Sequence, residues 1–452
     1  MHPNKVLARF KGMQFNKNEG RLVAASFFMN MGVDSGYFVG FVGYAAYEFG
    51  GNVTIIATAM AILSVFYMFG NLLGGILVDK IGPRRATFLS SMAMVLVCVA
   101  ALFINKQLIV FLILSAIFGL VGAVLQSSIG SFAPYLSRER EGIRRLNSYI
   151  TTGMFVSTIF GGSLSAILAD SFAHQSVFLM VAATVIISGL LALTVREHYS
   201  PHDLPEGEAE RETEGETEGE YVQIVDGDTA VSPPEKMGAW HTALEGWNLI
   251  RKSTSLRFYL MIAIVMWFSF GAFDALESLY YRDILLMPVS WMGWVNAIIG
   301  VGLAIGAFGL SKIPGKYITA FLLVVLLAAE GATTVLYVAT RSALWSAVGA
   351  FLLGIAFGIV DPLLRTLIQV DSPLKVAGRV MGTVDMIRKG FTFIPLAIAP
   401  ALYGLFGIQP VLIGAGTITI LMAFALYPAS RRLDARKATT RHIDHVNPFI
   451  DD

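Results

Sequence analysis

The sequence contains little charge and almost no cysteine. Only 14% of its 452 residues are charged, whereas soluble domains carry about 25%, so a large soluble core is not expected. Cys98 is the single cysteine, which excludes a disulfide within the chain and leaves the redox compartment open. The formal net charge of +1 argues against nucleic acid as a partner, because nucleic-acid binders carry basic surfaces.

Motifs for enzymatic chemistry are also missing. The sequence has no phosphate-binding Gly-rich loop that ends in Lys-Ser or Lys-Thr, so ATP is not expected to drive the protein. It has no spacing typical of metal ligands and no nucleophile constellation, so we predict no metal, no cofactor and no enzymatic activity. No histidine lies in the middle of an apolar run, which argues against a histidine proton relay.

Long apolar runs dominate the chain instead. Hydrophobic residues make up 55% of it, its mean hydropathy is +0.65, and a membrane-spanning helix needs about 20 mostly apolar residues. The first run follows a polar segment without the features of a signal peptide, so we expect it to remain in the protein. The sequence predicts an all-α membrane protein with twelve transmembrane helices near residues 22–47, 53–78, 86–104, 108–133, 146–169, 174–195, 258–281, 289–311, 317–339, 342–369, 379–404 and 408–428.

Lys and Arg indicate the orientation. They concentrate in the N-terminal segment, in the connections that follow even-numbered runs and in the C-terminal tail, whereas the opposite loops hold little beyond Lys106, Arg282 and Arg341. Since cytoplasmic loops carry the excess of these residues, we predict cytoplasmic termini and a location in the plasma or inner membrane.

An acidic stretch divides the runs into two sets of six. It contains "PEGEAERETEGETEGE", which cannot bury enough apolar surface to fold. We interpret it as a largely disordered linker, with a regulatory or docking role as the alternative. The predicted organisation is a cytoplasmic N-terminus at 1–21, a six-helix bundle at 22–197, the cytoplasmic linker at 198–257, a second bundle at 258–428 and a cytoplasmic tail at 429–452.

The two halves are similar to each other in sequence. "GGILVDKIGPRR", from Gly74, returns as "GAFGLSKIPGK", from Gly306, with Ser311 in the place of Asp79. Similar halves related by an axis along the membrane normal are typical of transporters with a central binding site.

The first copy resembles the loop between helices two and three of the major facilitator superfamily. The matching residues are Gly75, Asp79, Lys80, Gly82, Arg84 and Arg85. "SFAPYLSREREGIRRLNSY" and "LIQVDSPLKVAGRVMG" further resemble the branch of macrolide and siderophore exporters, which are drug:proton antiporters. The resemblance covers the whole chain. It implies two pseudo-symmetric six-helix bundles, a secondary active transporter that works by alternating access, and a monomer.

The resemblance also implies that this loop is a cytoplasmic gate. Asp79, Arg84 and Arg85 would form a latch that holds the cytoplasmic side closed. Gly75 would allow two helices to approach closely, and Asp79 is placed to cap a helix start or to pair with a base. The alternative is that the basic residues only fix the topology, and both interpretations can hold together.

Three acids interrupt the apolar runs of helices one and seven. An ionisable group inside a membrane helix is costly and is a functional candidate by default. Asp34 lies near the middle of the first run, and Asp274 and Glu277 share one face of the seventh. A carboxyl removed from water favours its protonated form, as a proton-coupled carrier requires. We expect substrate or proton binding here, with a structural hydrogen bond to a neighbouring helix as the alternative.

Helices ten and eleven carry a second charged group. Counted from the cytoplasmic ends at about 1.5 Å per residue, Asp361 matches Arg388 in depth and Arg365 matches Asp385. We predict cross-helix ion pairs, which either hold the two helices together or break during alternation as a charge switch. Lys389 follows Arg388, so an anion site is a further alternative.

Neutral polar and aromatic residues complete the expected site. A pocket between the halves is expected to be mostly apolar with a few polar anchors, although a single aromatic residue more often serves packing. The candidates are Asn30, Tyr37, Gln126, Trp267 and Asn296. Glu330 is alone in helix nine and receives no role.

The sequence predicts proton-coupled export of a hydrophobic, cationic or zwitterionic small molecule, with substrate, proton and bilayer as partners. A first alternative is an importer or uniporter of an organic anion, which Arg365, Arg388 and Lys389 motivate. Two departures from exporter patterns support it: Gly162 stands where proline is expected, and helix four has no arginine. A second alternative is a membrane sensor or scaffold, supported only by the acidic linker.

Overall fold

The structure of the protein is a computed structural model. It describes residues 17–50, 52–103, 107–136, 140–172, 174–196, 239–310, 312–314, 317–372 and 377–446. These stretches contain helices and no strand. Most of the predicted linker and N-terminal segment lies outside them, as do Lys106, Ser311 and the side chain of Asp79.

Twelve long helices account for the twelve predicted runs, and each run coincides with one helix. Helix α1 covers 17–48 and consists of Lys17–Ser35, a π-helical segment at Gly36–Val42 and Gly43–Glu48. Helix α7 covers 254–284 and joins Thr254–Leu279 to a π-helical segment at Tyr280–Ile284. The others are α2 (Val53–Ile81), α3 (Pro83–Leu102), α4 (Leu108–Gly130), α5 (Arg140–Ser171), α6 (Ser176–Thr194), α8 (Ser290–Leu310), α9 (Ala320–Val338), α10 (Ala343–Asp371), α11 (Ala377–Phe406) and α12 (Ile408–Val446).

Eleven of these helices are long and apolar enough to cross a membrane. The remaining one, α1, is more polar because Asn30 and Asp34 lie in its middle. The structure adds two helical features that the sequence analysis does not predict. Helix α12 continues past the predicted end of the last run at 428, and a further helix at Ala239–Lys252 lies within the predicted linker and packs against α11.

Gly82 and Pro83 produce the turn between α2 and α3. Gly82 has a φ of 79°, which favours glycine, and its N–H donates to the Val78 carbonyl oxygen at 2.8 Å. This bond closes the C-terminus of α2. Pro83 takes the first position of α3, where an N–H group would have no partner within the helix. The Gly-Pro pair therefore places Arg84 and Arg85 in the first turn of α3.

Helix packing repeats between the two halves. In the first half, α1 packs on α5 and α6, α2 packs on α4, and α3 packs on α4 and α6. In the second half, α7 packs on α11 and α12, α8 packs on α10, and α9 packs on α10 and α12. The second set repeats the first with each helix moved six places along the chain, so the fold consists of two pseudo-symmetric six-helix bundles.

We call the end of the bundle at which α1 begins the termini face, and the end at which α8 begins the distal face. Near the distal face, α5 of the first half packs on α8 of the second. A Cβ added at Gly162 would lie 2.6 Å from the Gly293 carbonyl oxygen, and one added at Gly293 would lie 2.5 Å from that of Gly162. Helix contact at this distance requires glycine at both positions, which explains the presence of Gly162.

Helix α1 also joins the second half at the distal face. The Tyr47 hydroxyl donates to the Met287 carbonyl oxygen at 2.8 Å. The Arg282 guanidinium donates to the Ala46 carbonyl oxygen. Both bonds end on main-chain atoms, so closure at this face combines hydrogen bonds with helix packing.

Candidate functional site

A cavity of about 220 Å³ lies within the second half and is bordered on one side by Phe38 of the first half. Most of its wall is aromatic or aliphatic, with Phe38, Phe270, Phe273, Ile299, Leu303, Leu353 and Phe357. The polar part of the wall consists of Ser269, Asp274, Glu277, Asn296, Glu330 and Thr334. All of these residues except Phe38 belong to the second half. An apolar cavity with a few polar groups is the usual form of a small-molecule site.

Helix α7 presents two acids to this cavity. Asp274 and Glu277 lie three residues apart, which places them on one side of the helix, and both line the cavity. Asp274 is half-buried. Within the part of the chain that the structure describes, its carboxyl has no hydrogen-bond partner, so it is free to meet a ligand or a proton.

Two tyrosines hold Glu277. Its Oε1 atom accepts from the Tyr281 hydroxyl at 2.8 Å and from the Tyr337 hydroxyl at 2.6 Å, and the two hydroxyls also contact each other. Both tyrosines are fully buried, and the cluster joins α7 to α9. Sequence reasoning missed them. The four-residue spacing of Glu277 and Tyr281 was an available signal, whereas Tyr337 is recognisable only from the fold.

Helix α1 places Tyr37 opposite the α7 acids. Tyr37 lies within electrostatic range of Asp274 and Glu277 in the other half. Asp34, one turn earlier, is half-buried and lies within electrostatic range of Tyr67 on α2, outside the cavity wall. The π-helical segment of α1 begins just after Asp34, and such segments are frequent at functional sites.

The polar candidates occupy different positions. Asn296 lines the cavity. Asn30 is buried, and its amide donates to the Ser26 carbonyl oxygen of its own helix at 2.9 Å. Gln126 is half-buried on α4, and like Asn30 it lies outside the cavity wall.

Four charged side chains of α10 and α11 form a closed ring, which we call the charge ring: Asp361, Arg365, Asp385 and Arg388. Arg388 lies 2.9 Å from Asp361 through Nη1 and 2.8 Å from Asp385 through Nε. Arg365 lies 2.9 Å from Asp361 through Nε and 3.6 Å from Asp385 through Nη1. The structure brings together both pairs that were matched by depth, and the four charges cancel.

Aromatic residues connect the charge ring with its surroundings. The Arg388 guanidinium lies 4.7 Å from the centre of the Trp267 ring, and Trp267 packs on two phenylalanines of the cavity wall. The neighbouring Lys389 places its Nζ atom 4.9 Å from the centre of the Tyr67 ring in the first half. Trp267 therefore lies between the charge ring and the cavity, while Lys389 reaches across to the other bundle.

Glu330, which had no role in the sequence analysis, lies in the cavity wall. It is only 2% exposed, and its Oε2 atom has no hydrogen-bond partner among the described residues. A lone acid in an apolar helix was a signal for a functional residue. The direction in which the Glu330 side chain points, however, depends on how α9 is rotated against α10 and α12. In the described stretches, no group of three His, Cys, Asp or Glu has the arrangement to hold a metal ion.

The predicted gate lies at the termini face, between α2 and α3. Its exposed basic residues are Lys80, Arg84 and Arg85. Among the described residues, a Cβ at Gly75 would meet nothing within 4 Å, whereas one at Gly74 would lie 2.7 Å from the Ser127 Cβ of α4. In this structure, therefore, Gly74 is the residue that faces α4, and the close helix approach expected at Gly75 stays a prediction.

Sequence comparison shows the family. Residues 23–395 match the model of the Major Facilitator Superfamily. The uncharacterized MFS-type transporter YfiS of Bacillus subtilis (strain 168) is 21% identical over 376 residues, which cover 80% of this chain and 81% of YfiS. The multidrug resistance protein MdtG of Dickeya zeae (strain Ech586) is 23% identical over 385 residues, which cover 83% of this chain and 85% of MdtG.

Solved transporter structures share the fold. The nucleoside transporter NupG superposes with a TM-score of 0.68 at 12% identity, over 91% of this chain and 99% of NupG. A POT family transporter superposes with a TM-score of 0.67 at 12% identity, over 92% of this chain and 96% of the transporter. Since the family match runs from α1 into α11 and the fold consists of two related six-helix bundles, the chain belongs to the Major Facilitator Superfamily and is a multi-pass membrane transporter, not an enzyme.

Proposed function

We propose that the protein is a secondary active transporter that exports a hydrophobic, cationic or zwitterionic small molecule in exchange for protons. The observation that carries this proposal is the charge of the cavity wall, whose ionisable residues, Asp274, Glu277 and Glu330, are all acids. An acidic site surrounded by aromatic and aliphatic side chains favours a ligand that combines positive charge with apolar surface.

Carboxyl groups within the membrane offer a means of coupling substrate export to proton movement. Burial away from water favours a protonated carboxyl, and a nearby cation favours an ionised one. A carboxyl that loses its proton when the cation binds, and regains one when the cation leaves, exchanges the two. Asp274 suits this role because it lines the cavity, and Asp34 suits it because it is half-buried in the middle of α1.

We place the termini face in the cytoplasm of a cell whose plasma or inner membrane holds the protein. The exposed basic residues of the gate support this orientation, because cytoplasmic loops carry the excess of Lys and Arg. The distal face would then look outward, closed by the contacts of α5 with α8 and of Tyr47 with Met287. The latch of Asp79, Arg84 and Arg85 would close the termini face in the opposite conformation, as the family resemblance implies.

The name of one relative supports the direction of transport. MdtG is a multidrug resistance protein, and a transporter that gives resistance removes the drug from the cell. We extend export, though not the identity of the substrate, to this chain.

The contacts of the charge ring argue against the alternative that the protein transports an organic anion. Arg365 and Arg388 each pair with both Asp361 and Asp385, so their positive charge is already balanced. Lys389 lies over the Tyr67 ring outside the charge ring. These contacts favour a cation over an anion as the ligand of the cavity.

Transport by proteoliposomes that hold the protein in one orientation tests the proposal. Ethidium, a hydrophobic cation, is compared with fluorescein, an organic anion, with and without an imposed proton gradient. We expect the wild type to move ethidium in response to the gradient and Asp34→Asn to lose this response. Asp170→Asn changes an exposed acid at the end of α5 and should retain it. Fluorescein transport that ignores the gradient and survives Asp34→Asn would instead identify an anion carrier.

A further inference from the structure

One acid in the cavity wall is left unsatisfied by the described side chains. Glu330 is only 2% exposed, and within the described stretches its Oε2 atom has no hydrogen-bond partner. Leaving such a buried group without a partner is unfavourable, and more so when the group is charged. Native proteins contain few such groups, and each one points to a function or to a missing partner.

The hydroxyl groups near Glu330 donate their hydrogens elsewhere. Thr333 and Thr334 donate to the main-chain carbonyl oxygen of Glu330 itself, at 2.9 and 2.8 Å. Ser269, on the α7 side of the cavity, lies 2.5 Å from the Thr419 hydroxyl and 3.2 Å from a main-chain carbonyl oxygen of α12. Because a hydroxyl has one hydrogen to donate, these groups do not supply the donor that the carboxyl lacks.

The charged groups around Glu330 also do not supply the hydrogen-bond donor that its carboxyl lacks. Asp361 on α10 lies within electrostatic range of Glu330, and its two oxygens are held by Arg365 and Arg388. Asp274 and Glu277 on α7 line the same cavity, whose wall contains no basic residue. The side of the cavity at Glu330 is therefore acidic, and its positive partner has to come from outside the wall.

We propose that Glu330 binds the protonated amine of the transported molecule, an inference that rests on the proposed function. An ammonium N–H supplies both the positive charge and the hydrogen-bond donor that Oε2 lacks, and charge-assisted bonds of this kind are the strong ones. Phe270 and Phe357 line the same cavity and offer aromatic faces to the cation. The substrate class is thus a hydrophobic primary, secondary or tertiary amine.

Amine binding at Glu330 also releases a proton. Removal from water favours the protonated form of a carboxyl, and a neighbouring cation favours the ionised form. When the ammonium binds, that proton leaves to water and a carboxylate–ammonium pair forms, so atoms and charge balance. Glu277 is unsuited to this exchange, because its Oε1 atom already accepts from two tyrosine hydroxyls.

Two probes that differ in one N–H group test the proposal. N,N-dimethyl-2-naphthylmethylamine, protonated near neutral pH, is compared with its N-methyl quaternary salt in binding to the purified full-length protein in nanodiscs. We expect Glu330→Gln to weaken amine binding by about tenfold or more, since a charged hydrogen bond contributes about 1.5–3 kcal/mol. The quaternary salt, which has no N–H, should lose less than about threefold. Asp170→Asn is the control and should bind both probes as the wild type does.

Each other outcome overturns the proposal. Equal losses for the two probes would show that Glu330 acts through charge alone, and unchanged binding in Glu330→Gln would remove it from the site. In either case the proposed function is tested separately, by whether the wild type transports ethidium in response to the proton gradient. Absence of amine binding by a wild type that transports ethidium would also refute the amine subsite. If Glu330→Gln does not fold, Glu330→Asp, which keeps the charge and shortens the reach, should show the same amine-selective loss.

Discussion

At the residue scale, each membrane acid is distinguished by the donors that reach it. Glu277 receives two tyrosine hydroxyls, Asp361 receives one hydrogen bond from each of two guanidinium groups, and Asp385 forms ion pairs with the same two groups. Asp274 and the Oε2 atom of Glu330 have no hydrogen-bond partner in the described stretches. The first group stabilises the fold, and the second remains available to a ligand or a proton.

The tyrosine cluster gives a test at this scale. Tyr337→Phe removes the hydroxyl that donates to Glu277 and contacts Tyr281, without removing the buried ring. We expect the free energy of unfolding to fall by about 1–3 kcal/mol, measured as a lower thermal midpoint of the purified protein. Tyr403→Phe, at a position with 37% exposure on α11, should leave the midpoint nearly unchanged. Equal midpoints for the two variants would argue against a structural role of the cluster.

At the element scale, the charge ring fastens α10 to α11. The Arg388 side chain is only 9% exposed, so removal of a carboxylate leaves a buried charge only partly balanced. We expect Asp361→Asn to destabilise the protein by about 1–3 kcal/mol, less than the loss for a buried charge without any partner, because Asp385 still pairs with Arg388. The double variant Asp361→Asn/Arg388→Gln should recover part of this loss. Thermal unfolding of the single and double variants forms a double-mutant cycle. Strictly additive effects would show that the two residues do not interact.

The contact of α5 with α8 gives a second test at this scale. Gly162→Ala introduces a Cβ 2.6 Å from main-chain atoms of Gly293 and Ala297, so α5 and α8 must separate. We expect the distal face to open, which lengthens the distance between spin labels at Gln107→Cys and Arg341→Cys, two exposed positions near that face. Gly390→Ala has open space at its Cβ among the described residues and should leave this distance unchanged. A distance in Gly162→Ala equal to that of the wild type would refute the packing argument.

A structural feature could be predicted from the sequence when it depends on residues close together along the chain, and not when it depends on how helices pack. The twelve helices follow from hydropathy, the turn at Gly82 from a glycine followed by a proline, and the pairs of the charge ring from residue counts along two helices. The place of Glu330 in the cavity and the meeting of Tyr337 with Glu277 depend on the rotation of α9 against its neighbours. The contact of Gly74 with α4 likewise depends on which side of α2 faces α4, and a sequence does not show this.

At the scale of the whole molecule, transport requires the two bundles to move against each other. The halves meet near the distal face, so a conformation that opens this face has to break these contacts. Labels at Gly130→Cys and Lys312→Cys report on the termini face, and those at Gln107→Cys and Arg341→Cys report on the distal face; all four positions are exposed. Cys98 is buried, so background labelling should be low.

We expect the two distances to change in opposite directions when ethidium or a change of pH shifts the population between the two conformations. Both distances are measured by electron paramagnetic resonance under the same sample conditions, so that the change at the termini face can be compared with the change at the distal face. Parallel changes of the two distances, or no change in either, would exclude alternating access by movement of the two bundles.

The most direct test of the central claim is the proton flux that a substrate gradient drives. Proteoliposomes containing the purified protein are loaded with a pH-sensitive dye and given an outward or inward gradient of ethidium, with no pH gradient at the start. The proposed exchange predicts proton movement opposite to that of ethidium, lost in Asp34→Asn and retained in Asp170→Asn. Ethidium movement without proton movement, or with protons moving in the same direction, would contradict proton-coupled export.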